Sequence, residues 1–156
     1  MLTKLFFCLD KISRLLGLDQ FRVETKTMLT PAGLQLSNDN PPRLMADNPS
    51  NGRLILDWLR DVMREKVIAQ LGPGEKEFAT THIWRKPHGV IRLSRGPDWT
   101  SFLQFALPNQ SWEVMFSFDG NLLATADSWG GNTYFSGVDD LLKTLDSGVQ
   151  RILSMA

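Results

Sequence analysis

From Glu77 to Phe135 the chain alternates apolar and polar side chains through four successive turn signals, and the faces implied by those turns agree. Strand side chains switch sides with a period of two, so a one-residue slip carries a whole face from core to solvent. Trp112, Val114, Phe116 and Phe118 alternate with Glu113, Met115 and Ser117. The cluster Pro108-Asn109-Gln110-Ser111 reads as a turn that sets Leu107 opposite Trp112, Phe105 opposite Val114 and Leu103 opposite Phe116. Asp119-Gly120-Asn121 is a hairpin signal, because Gly and Asn tolerate positive φ, and it sets Phe118 beside Leu122 and Phe116 beside Ala124. Pro87-His88 places Trp84 opposite Ile91 and His82 opposite Leu93. Gly96-Pro97-Asp98 then brings Leu93 near Ser101 and Ile91 near Leu103. The expectation is one continuous antiparallel meander.

Helical spacing flanks that meander. Leu5, Leu9, Ile12 and Leu16 predict an amphipathic helix over about 2–16, ended near Gly17. Phe6 and Phe7 before Cys8, with Asp10 and Lys11 just after the short apolar run, do not read as a cleavable signal. Phe21 to Leu36 reads as a hairpin turned at Pro31-Ala32-Gly33, and Ser37 to Gly52 as a long loop rich in Asn, Asp, Pro and Ser. Ile55, Trp58, Leu59, Val62 and Met63 mark a helix over Leu54 to Leu71, stopped by Gly72-Pro73-Gly74. Val138, Leu141, Leu142, Leu145, Val149, Ile152 and Leu153 mark the last helix, with Ser136 as N-cap and Asp139 three residues on.

An antiparallel sheet with one apolar face must bury it, and amphipathic helices are at hand to cover it. The expected class is α+β: a five- to six-stranded antiparallel meander packed by helices, with an N-terminal helix and hairpin and a C-terminal helix, in a single domain spanning 1–156. Alternating β-α units are missing, which argues against a nucleotide-binding parallel sheet. A net charge of zero gives no global pull toward nucleic acid or an anionic membrane. No transmembrane run is present. The lone Cys8, read as a small buried hydrophobe, forbids an internal disulfide and suits a cytoplasmic location. Oligomeric state is not legible.

No catalytic, metal or cofactor motif is recognisable. His82 falls on the core face, and the nearest hydroxyl there, Ser101, lies two strands or about 10 Å away, too far for a nucleophile–base hydrogen bond. His88 sits at a turn tip. Neither histidine has a His, Cys or Glu at ligand spacing, so no metal is expected, and the fold should need neither metal nor disulfide. Gly130-Gly131 lacks the Lys-Ser/Thr ending of a phosphate loop. Asp57 and Asp61, with Arg60 and Arg64, read as an ion-paired helix face.

The zero total hides a segregated distribution. Residues 78–97 carry Arg85, Lys86, Arg92 and Arg95 and no acid, whereas 98–147 carry seven acids and only Lys143. Alternation turns Arg85 and Arg92 outward beside Ile83, Phe102 and Met115, with Arg95 and Trp99 at the sheet rim, where a cation–π contact is feasible. Arg, aromatic and Met side chains are enriched in interfaces. The reading is a non-enzymatic protein-binding module (an inhibitor, an immunity-type antagonist, a chaperone or an adaptor) that recognises an acidic protein surface through Ile83, Arg85, Arg92, Arg95, Trp99, Phe102 and Met115, with Trp129 as a second candidate in its Gly-rich loop. The alternative is a small-molecule or nucleotide-binding domain, possibly enzymatic, with a pocket near His82, Trp84, Arg95 and Trp99.

Overall fold

The computed structural model describes residues 21–24, 28–78, 80–96, 100–127 and 131–155. Among the described residues it is an α+β fold: one large antiparallel sheet with two helices on one face. The expected helix over about 2–16, with Cys8 in it, lies outside the described residues, as do Trp99 and Trp129.

Phe21–Glu24 (β1) pairs with Met28–Pro31 (β2) in a separate two-stranded ribbon. The expected single hairpin to Leu36 is thus divided. Ala32 and Gly33 turn the chain, with Gly33 at φ +95°, into Leu34–Leu36 (β3), which pairs with Leu44–Ala46 (β4). The segment read as a long loop therefore contains a strand. Burial explains it: Leu34, Leu44 and Ala46 all reach the core. Met45 pairs with Leu122, which adds β3 and β4 to the far edge of the meander.

The first helix, α1, spans Pro49–Leu71 and begins five residues earlier than its apolar stripe suggests. Asn48 caps it, accepting the Asn51 N–H at 2.9 Å, and Pro49 occupies the first turn, where no N–H is required. At the other end the Gly72 N–H closes on Ile68 O at 2.9 Å. Ile55, Leu56, Leu59, Met63 and Val67 are buried along one stripe.

The strands Glu75–Lys76 (β5), Thr81–Lys86 (β6), Gly89–Arg95 (β7), Ser101–Leu107 (β8), Gln110–Asp119 (β9) and Leu122–Asp127 (β10) pair consecutively. The sheet order is β3-β4-β10-β9-β8-β7-β6-β5, and Thr133–Tyr134 (β11) also pairs with β10. β5 forms an edge of only two residues, both charged and exposed. The sheet thus has more strands than the five or six expected, because short pieces join both ends.

Registers depend on turn length. The β6–β7 pairing is as expected, with Trp84 opposite Ile91 and His82 opposite Leu93. Two others are displaced by two residues and keep their faces. At β8–β9 the turn is only Pro108-Asn109, so Leu107 meets Gln110 and Leu103 meets Val114. At β7–β8 Leu93 meets Leu103, and Arg95 meets Ser101. The fourth is displaced by one and does invert a face. Asp119 pairs with Leu122 across Gly120-Asn121, with Gly120 at φ +62°. Positive φ at the first central residue is the pattern of a two-residue II′ turn, which matches the strand twist better than a three-residue loop. Leu123, opposite Phe118, therefore enters the core in place of Leu122.

The last helix, α2, spans Val138–Met155 and buries Leu141, Leu145, Val149 and Ile152. Its cap differs from the expected box. The first helical bond runs from Leu141 N–H to Gly137 O, and Asp140, not Asp139, reaches back to accept the Ser136 N–H at 3.2 Å. Side chains of α1 and α2 mesh with Ile91, Leu93, Leu103, Phe105, Val114, Phe116 and Leu123 to form the core. Lys66 Nζ, 2.9 Å from Asp146 Oδ1, ties the two helices at the surface.

Candidate functional site

With both described helices on one face, the opposite face of the sheet presents Ile83 and Arg85 from β6, Val90 and Arg92 from β7, Phe102, Gln104 and Ala106 from β8, and Glu113 and Met115 from β9. Open sheet faces are normally polar. This one is apolar at most of its central positions, and Val90, Phe102, Ala106 and Met115 are half-buried. Ile83, on this same face, is buried, only 1% exposed. Arg92 is half-buried at the centre, flanked by Ile83 and Gln104. Arg85 is exposed and already faces Glu75, with Nε 3.4 Å from Oε2. Gln104 Nε2 donates to Glu113 Oε1 at 2.7 Å. Two arginines therefore share the face with two glutamates, and the segregation seen along the sequence is largely cancelled across the strands. At the β11 end, Tyr134 donates its hydroxyl to Asp119, which holds the phenol above its usual pKa, and Arg43 lies 4.8 Å over its ring.

Arg95 does not belong to this surface. Its position in β7 turns it toward α1, where Nε lies 3.6 Å from Asp57 Oδ1. There it joins an ionic cluster. Arg60 Nη1 is 3.6 Å from Asp57 Oδ1 and Nη2 is 4.0 Å from Asp61 Oδ1, while Arg64 Nη1 is 3.6 Å from Asp61 Oδ1. These separations satisfy charge pairing but exceed hydrogen-bond reach. Among the described residues, buried Arg60 Nη1 and His82 Nδ1 have no hydrogen-bond partner. Leaving a buried polar group unpaired costs about 1–3 kcal/mol.

His82 is half-buried on the core-facing side of β6, stacked on Trp84 with ring centroids 6.2 Å apart. Trp84 is anchored by its Nε1–H, which donates to Gly72 O at 2.7 Å. Burial lowers the His82 pKa below its usual value, and the cations of Arg64, Lys76 and Arg60 push it lower. Burial also raises the Asp61 pKa, against the pull of Arg64 and Arg60. Ser101 is fully buried and donates its hydroxyl to Leu56 O at 2.7 Å, so it serves packing between sheet and helix.

Two depressions lie away from His82, Trp84 and Arg95, where a pocket was the alternative expectation. One, about 220 Å³, lies by Asn48, Gly52, Arg53 and Phe118. The other, about 250 Å³, lies between β3 and the start of α2. Among the described residues no three His, Cys, Asp or Glu side chains gather to hold a metal ion, and no helix is long and apolar enough to cross a membrane. Sequence reasoning missed Phe78. It is 80% exposed at φ +68°, a conformation bulky residues rarely adopt. Nothing in Glu77-Phe78-Ala79 marks a turn, since none is Gly, Asn or Pro. No protein-family model, curated protein or solved structure matches this chain.

Proposed function

We propose that this chain is a protein-binding module that receives its partner on the sheet face opposite the two helices. The observation that carries this reading is the apolar centre of that face: Val90, Phe102, Ala106 and Met115 around Arg92, where an open sheet would ordinarily place polar side chains. Arginine sharing a face with aromatic and Met side chains is a composition enriched in interfaces. Because Arg85 faces Glu75 and the local charges cancel, apolar contact supplies most of the affinity. Arg92 supplies selectivity for an acidic group on the partner.

The test is differential retention. Wild-type protein, Arg92→Glu, Phe102→Asp and a control on α2, Lys143→Glu, are immobilised and exposed to extract of the native host. A partner retained by the wild type and the control but lost by both face variants supports the reading. Equal retention by all four refutes it. Circular dichroism confirms that the variants are folded.

A further inference from the structure

The charge pattern of the open sheet face says which partner it fits, and this inference rests on the reading of that face as the partner surface. Register places Arg92 on β7, Gln104 on β8 and Glu113 on β9 in one row across the strands. Neighbouring strands are about 4.8 Å apart, so Arg92 and Glu113 flank Gln104 evenly, with about 10 Å between them. Gln104 Nε2 donates to Glu113 Oε1 at 2.7 Å, whereas half-buried Arg92 takes part in no ion pair among the described residues. Phe102 and Ala106 lie on β8 itself, on either side of Gln104, and Met115 pairs with Phe102. The middle strand is thus mostly apolar, with one charge on each side of it and the two of opposite sign.

We infer that this face binds a second copy of the chain, in a dimer whose two-fold axis runs along β8 between the stacked sheets. A two-fold interface is made of one surface meeting itself, so every contact across it occurs twice. Rotation about β8 lays β7 of one copy over β9 of the other. Arg92 then faces Glu113 of the partner subunit, and Glu113 faces Arg92 of the partner subunit. Phe102 and Ala106 meet their own counterparts on the axis, where their apolar surface leaves water. Aligned sheets cross at about 30°, which offsets groups one strand from the axis by only about 2–3 Å, within reach of an arginine side chain. An axis across the strands instead sets Arg92 against Arg92 and Glu113 against Glu113, and like-charge contact opposes it. Strands β6 to β9 over six residues present roughly 19 by 20 Å, or about 400 Å² in projection. That is about half of what each side of a standard interface buries, so the dimer is weak, with a Kd of roughly 10–100 µM.

Sedimentation velocity of the full chain, from about 5 to about 500 µM, brackets that Kd. The wild type should pass from monomer to dimer across this range, and Lys143→Glu on α2 should behave alike. Arg92→Glu and Glu113→Arg each create two like-charge contacts by symmetry and should weaken association about a hundredfold, leaving monomers. An equimolar mixture of the two variants should dimerise again, because each contact then joins opposite charges. A monomeric wild type, a reversal that dimerises as well as the wild type, or a mixture that stays monomeric overturns the inference. If circular dichroism shows that either reversal is unfolded, Arg92→Gln and Glu113→Gln take their place. Each should weaken the dimer about tenfold, and the two together little more than either alone; additive losses overturn the pairing. A monomeric wild type that still retains a host protein lost by Arg92→Glu and Phe102→Asp leaves the partner face standing and removes only the second copy as its occupant.

Discussion

Replacing Ser101 by Ala isolates one buried hydrogen bond between sheet and helix. The Ser101 side chain is fully enclosed, and its hydroxyl lies 2.7 Å from Leu56 O. Leu56 sits in the second turn of α1, so the same carbonyl also accepts the helical N–H four residues on. The variant therefore removes a donor without orphaning the acceptor. It also leaves a gap smaller than a water molecule. The net loss should be that of one ordinary hydrogen bond, about 1 kcal/mol, not the larger penalty of an unpaired buried group. For a chain of this size that corresponds to a Tm lower by about 2–4 °C. Urea unfolding, followed by far-ultraviolet circular dichroism, should show a lower midpoint with the same m-value. An unchanged midpoint would mean that the hydroxyl contributes nothing to docking α1 on β8. A loss above about 3 kcal/mol would mean that the carbonyl depends on Ser101 and that the shared-acceptor argument fails.

Two further outcomes follow from the same kind of reasoning. Gly120→Ala should cost about 1–2 kcal/mol in thermal unfolding, because φ is +62° while no atom lies close enough to clash with an added Cβ; Gly120→Asn should recover part of it. Stability should decline as pH falls through 6.5, since unfolded chains take up a proton at His82 before the folded one does. Asp61 has the opposite sign, its folded form protonating first as pH falls through its raised pKa, so it does not produce that decline. His82→Gln should flatten the curve between pH 7 and 5 as read by denaturant midpoints, and an identical slope would refute the assignment to His82.

The core was legible where a pattern is local and repeated. The stripe of α2 and the β6–β7 register, pinned by Pro87-His88, both follow from short-range periodicity. Turn length is harder to read, because Pro108-Asn109-Gln110-Ser111 contains four residues that favour turns and only two are needed; Gln110 and Ser111 extend β9 instead. β4 was hidden, since three residues in an Asn- and Pro-rich stretch show no period and its partner β10 lies far along the chain. The start of α1 carried its signals, Asn48 and Pro49, but Ser50-Asn51-Gly52 are poor helix formers; tertiary packing holds them, with Gly52 against the Phe118 ring. At the surface, alternation assigned Arg92, Phe102 and Met115 to one face. It could not show that Glu75 and Glu113 join them, or that Arg95 turns toward Asp57, because those neighbours are set by pairing between distant residues.

The two-residue β5 has a consequence for how this molecule meets others. A sheet grows when an incoming segment finds a row of free backbone donors and acceptors to copy. Glu75 and Lys76 offer a row too short to hold such a segment, and both exposed side chains surround it with charge. At that end the sheet is a poor template for an extended peptide or for polymerisation into fibrils. Recognition across the side chains of its broad surface, which demands complementary shape and not merely an extended backbone, is the mode that this edge leaves open.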